Sequence, residues 1–412
     1  MPALADLTDW MDQQSQPHVV WYVKRLSGND TLANGTNQAG PYIPKDILFD
    51  IFPSINRTDT KNPDCWFDLR IDSHADCRKI RVIYYNNKYH DNPKSGRNEA
   101  RFTNFGGAAS PLLDPDSTGA LVVFSFHRNS SGNASVCHTW VCDNEIEAEL
   151  VEERIGPVEP GLGRVWSVDQ KELDLLKKPT VRTSCWLDTP EIPSDWLKKF
   201  PNATEIIRKT IELRGDHGQP VDTRLMRRRD CEFEIFRSIE EAIELAAIKE
   251  GFSNVDDFIA RAQTILQRRK SRSGRSLELQ VREIFIEEKL REGNDFSHQP
   301  ESEPGKKPDF LFPSQVAYQD ASFPANRLRM LAVKTTCKDR WRQVIQEANR
   351  IEQKHLLTLQ QGVSEGQFRE MTEAGIQLVI PAQLTEAFPK AVQPHLQTLE
   401  SFIGDIRILN IE

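Results

Sequence analysis

The chain has 412 residues, of which 38% are hydrophobic and 28% charged, with a formal net charge of −8. This length accommodates two or three domains, the composition is that of an ordinary soluble globular protein, and no stretch is apolar for long enough to span a bilayer. The acidic balance argues against a uniformly polyanion-binding surface and shifts attention to local charge. The opening "MPALADLTDWMDQQ" lacks the basic-then-apolar layout of a secretory leader. The seven cysteines are scattered and odd in number, which suits a reducing, cytoplasmic setting better than a disulfide framework.

In chain order, the first third reads as β-structure. "HVVWYVKRLS", "CWFDLRIDS", "RKIRVIYYN", "GALVVFSFHR" and "SVCHTWVCD" are short and rich in β-branched and aromatic residues. Turn-forming stretches such as "NGTNQAG", "DNPKSG" and "DPDSTG" separate them. This spacing predicts an antiparallel barrel or sandwich, with a helix in "PKDILFDIF". From Val151 to Ser184 the apolar pattern fades into Pro, Gly and charge, which places a linker at residues 171–184 between domains spanning 1–170 and 185–412. Beyond it, "SIEEAIELAAIKEG" and "VDDFIARAQTILQRR" have helical periodicity. "SLELQVREIFIEEKL" is expected to form a third helix, with Ser276 as N-cap and Glu278 in its first turn. Strands "DFLF", "RMLAVKTT", "LLTL" and "IQLVIP" then alternate with helices at 339–354 and near "SEGQFREMTEAG". That order predicts an α/β unit with a mainly parallel sheet.

Two runs concentrate positive charge: "RLMRRR" (224–229) has four arginines in six positions, and "RRKSRSGR" (268–275) five cations in eight. They read either as solvated helix ends or as phosphate contacts. A zinc reading of Cys65, Cys77, Cys137, His138 and Cys142 fits no standard ligand spacing, and incidental cysteines are the plainer account.

The chemistry-bearing pattern lies in "KKPDFLFPS" and "RLRMLAVKTTCKDRWRQV". Asp309 stands at the mouth of one apolar strand and Lys334 near the end of the next. Metal-assisted phosphodiester hydrolysis needs carboxylates to hold a divalent ion, a positioned water and a cation against the phosphate. The usual nuclease pattern has an acid two positions before the lysine, but here that position is Ala332. In the predicted helix 339–354, Trp341, Val344, Ile345, Ala348 and Ile351 form an apolar stripe with Glu347 on its edge. A carboxylate there needs a partner, and Glu347 is read as the displaced second acid. The alternative is a boundary Glu paired with a neighbouring arginine. Glu278 either turns inward as a further carboxylate or simply complements the helix dipole. Lys338, Asp339 and Arg340 open the same helix, and suit either G·C readout in a major groove or helix capping.

"RRKSRSGRSLEL", "KKPDFLFPS" and "RMLAVKTTCKDRWRQV", with "NRTDTKNP", "RNEAR", "DPDSTGAL" and "YVKRLSGNDT" in the first third, closely resemble the EcoRII-type restriction endonucleases over nearly the whole chain. The resemblance implies an N-terminal all-β pseudobarrel that binds DNA and a C-terminal restriction-endonuclease-like α/β domain that cuts it. It also implies Mg2+ dependence, a homodimer, no membrane association, and cleavage of CC(A/T)GG before the first cytosine to leave a 5′-phosphate. The N-terminal domain is expected to shield the catalytic cleft until it binds a second, effector copy of the target. On this resemblance Asp309, Lys334 and Glu347 match the catalytic acid, lysine and displaced glutamate, and Tyr318 a tyrosine of the site. Asp309, Glu347 and Glu278 are then the metal ligands. Lys338, Asp339 and Arg340 fall where G·C pairs are read; Lys24, Arg97 and Arg101 fall where effector DNA is contacted. Arg228, or its neighbour Arg227 or Arg229, matches an arginine tied to DNA-stimulated activity. At Asn37 a histidine is expected instead. A competing reading is a DNA-binding regulator with a non-cutting nuclease fold.

Overall fold

The computed structural model describes residues 4–35, 40–90, 96–167 and 185–411. The predicted linker 171–184 and Asn37 lie outside these residues. The first unit contains helix α1 (Leu4–Gln14), strand β1 (Val19–Arg25), helix α2 (Lys45–Ile51), strands β2 (Asp64–Ile71), β3 (Asp76–Tyr85), β4 (Glu99–Thr103), β5 (Leu121–Arg128) and β6 (Ala134–Val141), helix α3 (Glu145–Ile155) and strand β7 (Arg164–Ser167). All five strands and the helix read from the sequence are present; α1, α3, β4 and β7 were not read. The strands form one seven-stranded sheet in the order β4-β3-β2-β6-β5-β1-β7. Neighbours are antiparallel except β2 and β6, which run parallel.

Strand β2 alternates as its sequence dictates: Phe67, Leu69 and Ile71 are buried, while Trp66, Asp68 and Arg70 face out. Strands β1 and β5 instead bury both faces. On one face Val20, Tyr22, Val122 and Phe124 join the barrel core with Phe52 and Phe67. On the other, Trp21, Val23 and Val123 pack against Leu7 and Met11 of α1 and Ala148 and Val151 of α3. Two-sided burial is why these strands read as continuous apolar runs.

The second unit opens with four helices, α4 (Ser194–Lys198), α5 (Ala203–Leu213), α6 (Val221–Glu250) and α7 (Val255–Glu287). There follow β8 (Ser297–His298), β9 (Phe310–Phe312), α8 (Gln315–Gln319), β10 (Arg329–Lys334), α9 (Trp341–Val344), β11 (Lys354–Thr358), α10 (Glu365–Glu373), β12 (Ile376–Ile380), β13 (Gln397–Thr398) and α11 (Leu399–Ile411). The sheet order is β13-β12-β11-β10-β9-β8. Strands β10 to β13 pair in parallel, as the β-α-β pattern predicts, and β9 and β8 add antiparallel edges. Phe285 of α7 sits edge-on to Phe296, Phe310 and Phe312, with centroids 5.1–5.5 Å apart. This cluster anchors α7 behind β9 and β10.

Three expectations are corrected. First, α7 is a single helix through 276; Ser276 is buried within it and caps nothing. Gly274 is tolerated mid-helix because one such glycine costs only about 1 kcal/mol. Second, the helix predicted over 339–354 shrinks to the one turn of α9. Ala348, at φ +48°, reverses the chain there. The apolar stripe survives as buried Trp341, Val344, Ala348 and Ile351, with Ile345 exposed. Third, Cys185 and Cys231 form a disulfide, with Cα atoms 5.2 Å apart, leaving Cys65, Cys77, Cys137, Cys142 and Cys337 free. Pairing cannot be read from cysteine spacing alone.

Asp222, in the first turn of α6, accepts a bond from the Leu399 N–H at the start of α11, 3.0 Å away. Burial pushes its carboxyl up to about 6, against the pull of that bond. The unfolded value is near 3.9, so the native state holds the proton longer. Its contribution to stability is therefore full below about pH 4 and lost as pH rises through about 6. Asp222→Asn removes this dependence. The variant should gain on the parent by up to roughly 3 kcal/mol between about pH 4 and pH 7, at 1.36 kcal/mol per unit. Urea unfolding across that range measures the difference; one that stays flat with pH rules the assignment out.

Candidate active site

Antiparallel pairing of β9 with β10 sets Leu331 opposite Phe310, which brings Asp309 beside the end of β10. The Asp309 Oδ2 accepts the Val333 N–H at 2.7 Å and lies 3.7 Å from the Lys334 Nζ. Burial raises the Asp309 carboxyl above its usual range, and Lys334 pulls the other way. Ala332, where the second acid is usual, is buried in the core.

Glu347 reaches the same place from the turn after α9. Its amide bonds the Val344 carbonyl at 3.1 Å. Burial pushes its carboxyl up to about 7; Lys334 draws it down and Asp309 raises it further. Its Oε2 is buried with no hydrogen-bond partner. The displaced carboxylate is thus brought to Asp309 and Lys334, although from a turn and not from the predicted helix.

Glu278 is buried on α7 and also acts on Asp309 electrostatically. Its Oε1 is taken by the His298 Nε2 at 2.5 Å and by the Gln299 Nε2 at 2.8 Å. Its inward reading is correct and the dipole reading is not. Neither His298 nor Gln299 was singled out in the sequence, where "FSHQPE" carries no motif. Among the described residues no group of three or more His, Cys, Asp or Glu side chains stands ready to hold a metal. The three-carboxylate set is therefore not gathered as expected, and neither are the cysteines of the zinc reading. The unpartnered Glu347 Oε2 beside Asp309 nevertheless fits a cation: two half-buried acids both feel Lys334, with Lys354 acting more weakly on Glu347.

Tyr318 is buried, and its hydroxyl donates to Glu303 while accepting the Arg350 N–H at 3.2 Å. Glu303 also accepts the Asn349 N–H at 2.9 Å. The pair pins the turn that carries Glu347. Burial, ahead of contact with Glu303, lifts the phenol to about 12. Glu303 was another unread residue.

Lys338 and Arg340 meet the first unit. The Lys338 Nζ donates to the Asp143 carbonyl at 3.2 Å, and burial lowers its pKa. The Arg340 Nε donates to Glu145 Oε1 at 2.8 Å, and its Nη2 donates to the same oxygen. Asp339 does not cap α9, which has no side-chain cap; its Oδ1 lies 3.3 Å from Arg342. The units also join where Ser364 Oγ donates to Asp116 at 2.6 Å and Gly28 N–H to the Gln361 carbonyl at 2.6 Å.

In the first unit, Lys24 pairs with Asp30 at 2.7 Å and with the Tyr42 carbonyl at 3.1 Å. Lys24 and Arg101 line one cleft of about 390 Å³, with Tyr42 and Gln361. Arg101 lies 3.4 Å from Glu99. Arg97 is exposed and stacks on Tyr85, 5.4 Å from the ring centre. Arg228 departs from expectation. It is 1% exposed, its Nε and Nη1 donate at 3.0 Å to the Arg214 carbonyl and Glu287, and its Nη2 donates to the Gly215 carbonyl. Every donor faces inward, so as folded it cannot reach DNA; Arg227 is the exposed member of the run, 3.2 Å from Asp216.

Residues 15–170 match the family model for the N-terminal part of restriction endonuclease EcoRII, and residues 236–403 that for the EcoRII C terminus. The chain is 41% identical over 403 residues to the type II restriction enzyme EcoRII of Escherichia coli, covering 97% of this chain and 96% of that one. Among solved structures, metal-depleted Ecl18kI with uncleaved, modified DNA overlaps at a TM-score of 0.44 and 17% identity, over 53% of this chain and 81% of that one. The UbaLAI restriction endonuclease B3 domain with cognate DNA overlaps at 0.27 and 17%, over 39% and 98%. Neither overlap is extensive enough to carry an argument. On the two family models and the full-length identity, the chain belongs to the EcoRII family of type II restriction endonucleases.

Proposed function

We propose that this endonuclease cuts double-stranded DNA at CC(A/T)GG before the first cytosine, leaving 5′-phosphates. Residues 1–170 form the effector-binding domain and 185–412 the catalytic domain, joined by 171–184. The observation that carries the cutting role is the meeting of Asp309, Lys334 and Glu347, with one Glu347 oxygen buried and unpartnered.

In this reading Asp309 and Glu347 would hold one Mg2+, and Glu278, bonded by His298 and Gln299, would add negative charge beside Asp309. The ion would offset charge building on the phosphate and make a water more acidic. Lys334 orients the attacking water and donates to a phosphate oxygen. The Tyr318–Glu303 pair keeps the Glu347 turn in register, since small displacements cost large factors in rate. Lys338, Asp339 and Arg340 read the G·C pairs from the major groove.

Regulation follows from what those readers touch. Asp143 and Glu145 of the first unit occupy Lys338 and Arg340, so the closed form cannot read its target. Effector DNA in the cleft lined by Lys24 and Arg101, flanked by Arg97, favours the open form. Cutting both strands calls for two copies of a one-site chain. The exposed apolar end of the α6–α7 hairpin, with Leu245, Ile248, Val255, Phe258 and Ile259, supports a homodimer.

Lys334→Ala should lower cleavage of two-site DNA with Mg2+ by at least about 10²-fold while binding to the target in Ca2+ changes little. Gel assays of both decide it; cleavage near the parental rate removes Lys334 from the chemistry. Sequencing the ends made by the parent tests the site and cut position, and uncut DNA in Mg2+ leaves a DNA-binding protein only. Glu145→Gln should raise cleavage of single-site DNA about ten-fold, the effect of weakening one charged hydrogen bond. An unchanged single-site rate contradicts the closed form.

A further inference from the structure

Glu159 lies in "GPVEPGLG", between α3 and β7, and is 8% exposed. Its carboxylate is held by two guanidiniums of the other unit. Oε2 accepts from the Arg229 Nε at 3.2 Å and Nη2 at 3.0 Å, and Oε1 accepts from the Arg272 Nη1 at 2.6 Å. The Arg229 Nη2 also reaches the Pro160 carbonyl at 3.0 Å. Arg272 also forks onto Glu232, its Nε at 3.0 Å and its Nη2 at 2.6 Å. The two cations come from the two arginine runs that the sequence singled out.

The pocket is rich in positive charge. Arg164, Arg237 and Arg269 crowd the same space; burial and neighbouring arginines lower the pKa of Arg164 and Arg237. Glu232, Glu240 and Asp230 offset part of this. Removing Glu159 would leave Arg229 without its carboxylate oxygen and Arg272 without its Nη1 partner, its fork on Glu232 remaining. The site also adjoins the reaction centre. Arg272 is six residues before Glu278, about 9 Å along the helix axis, and the next residue's carbonyl, Ser273, accepts from Thr335 Oγ1 at 3.4 Å, one residue past Lys334.

A carboxylate and a phosphodiester present the same pair of anionic oxygens to a guanidinium fork. We infer that Arg229 and Arg272 form a binding site for a backbone phosphate of substrate DNA, which Glu159 fills in its place while the units are closed. The inference rests on the closed-form reading above and adds to it a competitor: DNA and Glu159 contend for the same two arginines. Opening then does more than clear a path, because it exposes two cations already held in position by α6 and α7. A purely structural clamp would release no such contact.

Full-length parent, Glu159→Gln, Arg229→Gln and the double variant would be titrated with single-target duplex DNA in Ca2+ over a range of salt. Single-site cleavage in Mg2+ would be followed in parallel, with Glu145→Gln as the control for opening. Glu159→Gln should tighten binding and raise single-site cleavage about ten-fold. Adding Arg229→Gln should cancel that gain in binding and lower the slope of log K against log salt by about 1. Arg229→Lys in the Glu159→Gln background, which keeps the charge without the fork, should keep the slope and lose part of the affinity. If Glu145→Gln and Glu159→Gln both open the enzyme but the double variant binds DNA as Glu159→Gln does, with the same slope, the phosphate site is wrong and closure stands. If neither single variant raises single-site cleavage, closure itself is wrong and the site falls with it.

Discussion

The structure turns on drawing two carboxylates partly out of water around Lys334. Asp309 and Glu347 are both raised by loss of water; Asp309 raises Glu347 further, and Glu278 does the same to Asp309. Lys334 stands 3.7 Å from Asp309 and is the largest cationic influence on both, while Glu347 keeps an unpartnered oxygen. Such an arrangement is unfavourable in an isolated fold, and the surrounding elements are what keep it from relaxing. The β9–β10 pairing and the Val333 N–H fix Asp309. The reversal at Ala348 and the Tyr318–Glu303 pair fix the turn behind Glu347. The phenylalanine cluster holds α7, and with it Glu278, against the back of the strands. A centre of this kind holds unmet electrostatic demand in place.

Much of this was legible in the sequence because it depends on strand periodicity and strand order. Asp309 and Lys334 sit at the ends of short apolar runs, and those ends become neighbours through the antiparallel pairing of β9 with β10, which a β-α-β alternation alone does not predict. The apolar stripe also placed Glu347 at the core edge. It misjudged the carrier, because periodicity over 341–351 is kept by a single helical turn and a reversed chain as well as by a helix. The missing break at Ser276 has a related cause. Ser and Gly at 273–276 weaken a helix locally, but α7 is held by ion pairs to α6 on one side and by packing of its C-terminal half on the other, and tertiary contact overrides propensity.

The arginine runs were the harder reading. Seen as a string, "RLMRRR" could face water or phosphate; in the fold its members divide by helix angle. Arg227 is half exposed, Arg228 is wrapped by two carbonyls and Glu287, and Arg229 is claimed by a carboxylate seventy residues away. No local pattern announces a partner at that separation. The same holds for His298 and Gln299, which matter only because Glu278 arrives beside them from α7. The lone disulfide, between Cys185 and Cys231, is likewise a fact of three-dimensional proximity.

The unbroken run of α7 has a consequence for how this chain can vary. One rod carries Arg261, Arg268, Arg269 and Arg272, paired with carboxylates on α6 and in the first unit, and further along Glu278, which acts on Asp309. An α-helix turns by 100° per residue, so inserting or deleting one residue between Arg272 and Glu278 would swing one set out of place whenever the other was seated. Length changes in this stretch are barred by geometry, whereas the exposed loop at 251–254 can absorb them. The spacing of the arginines from the acid is therefore fixed as a single unit, even though its two ends serve different partners.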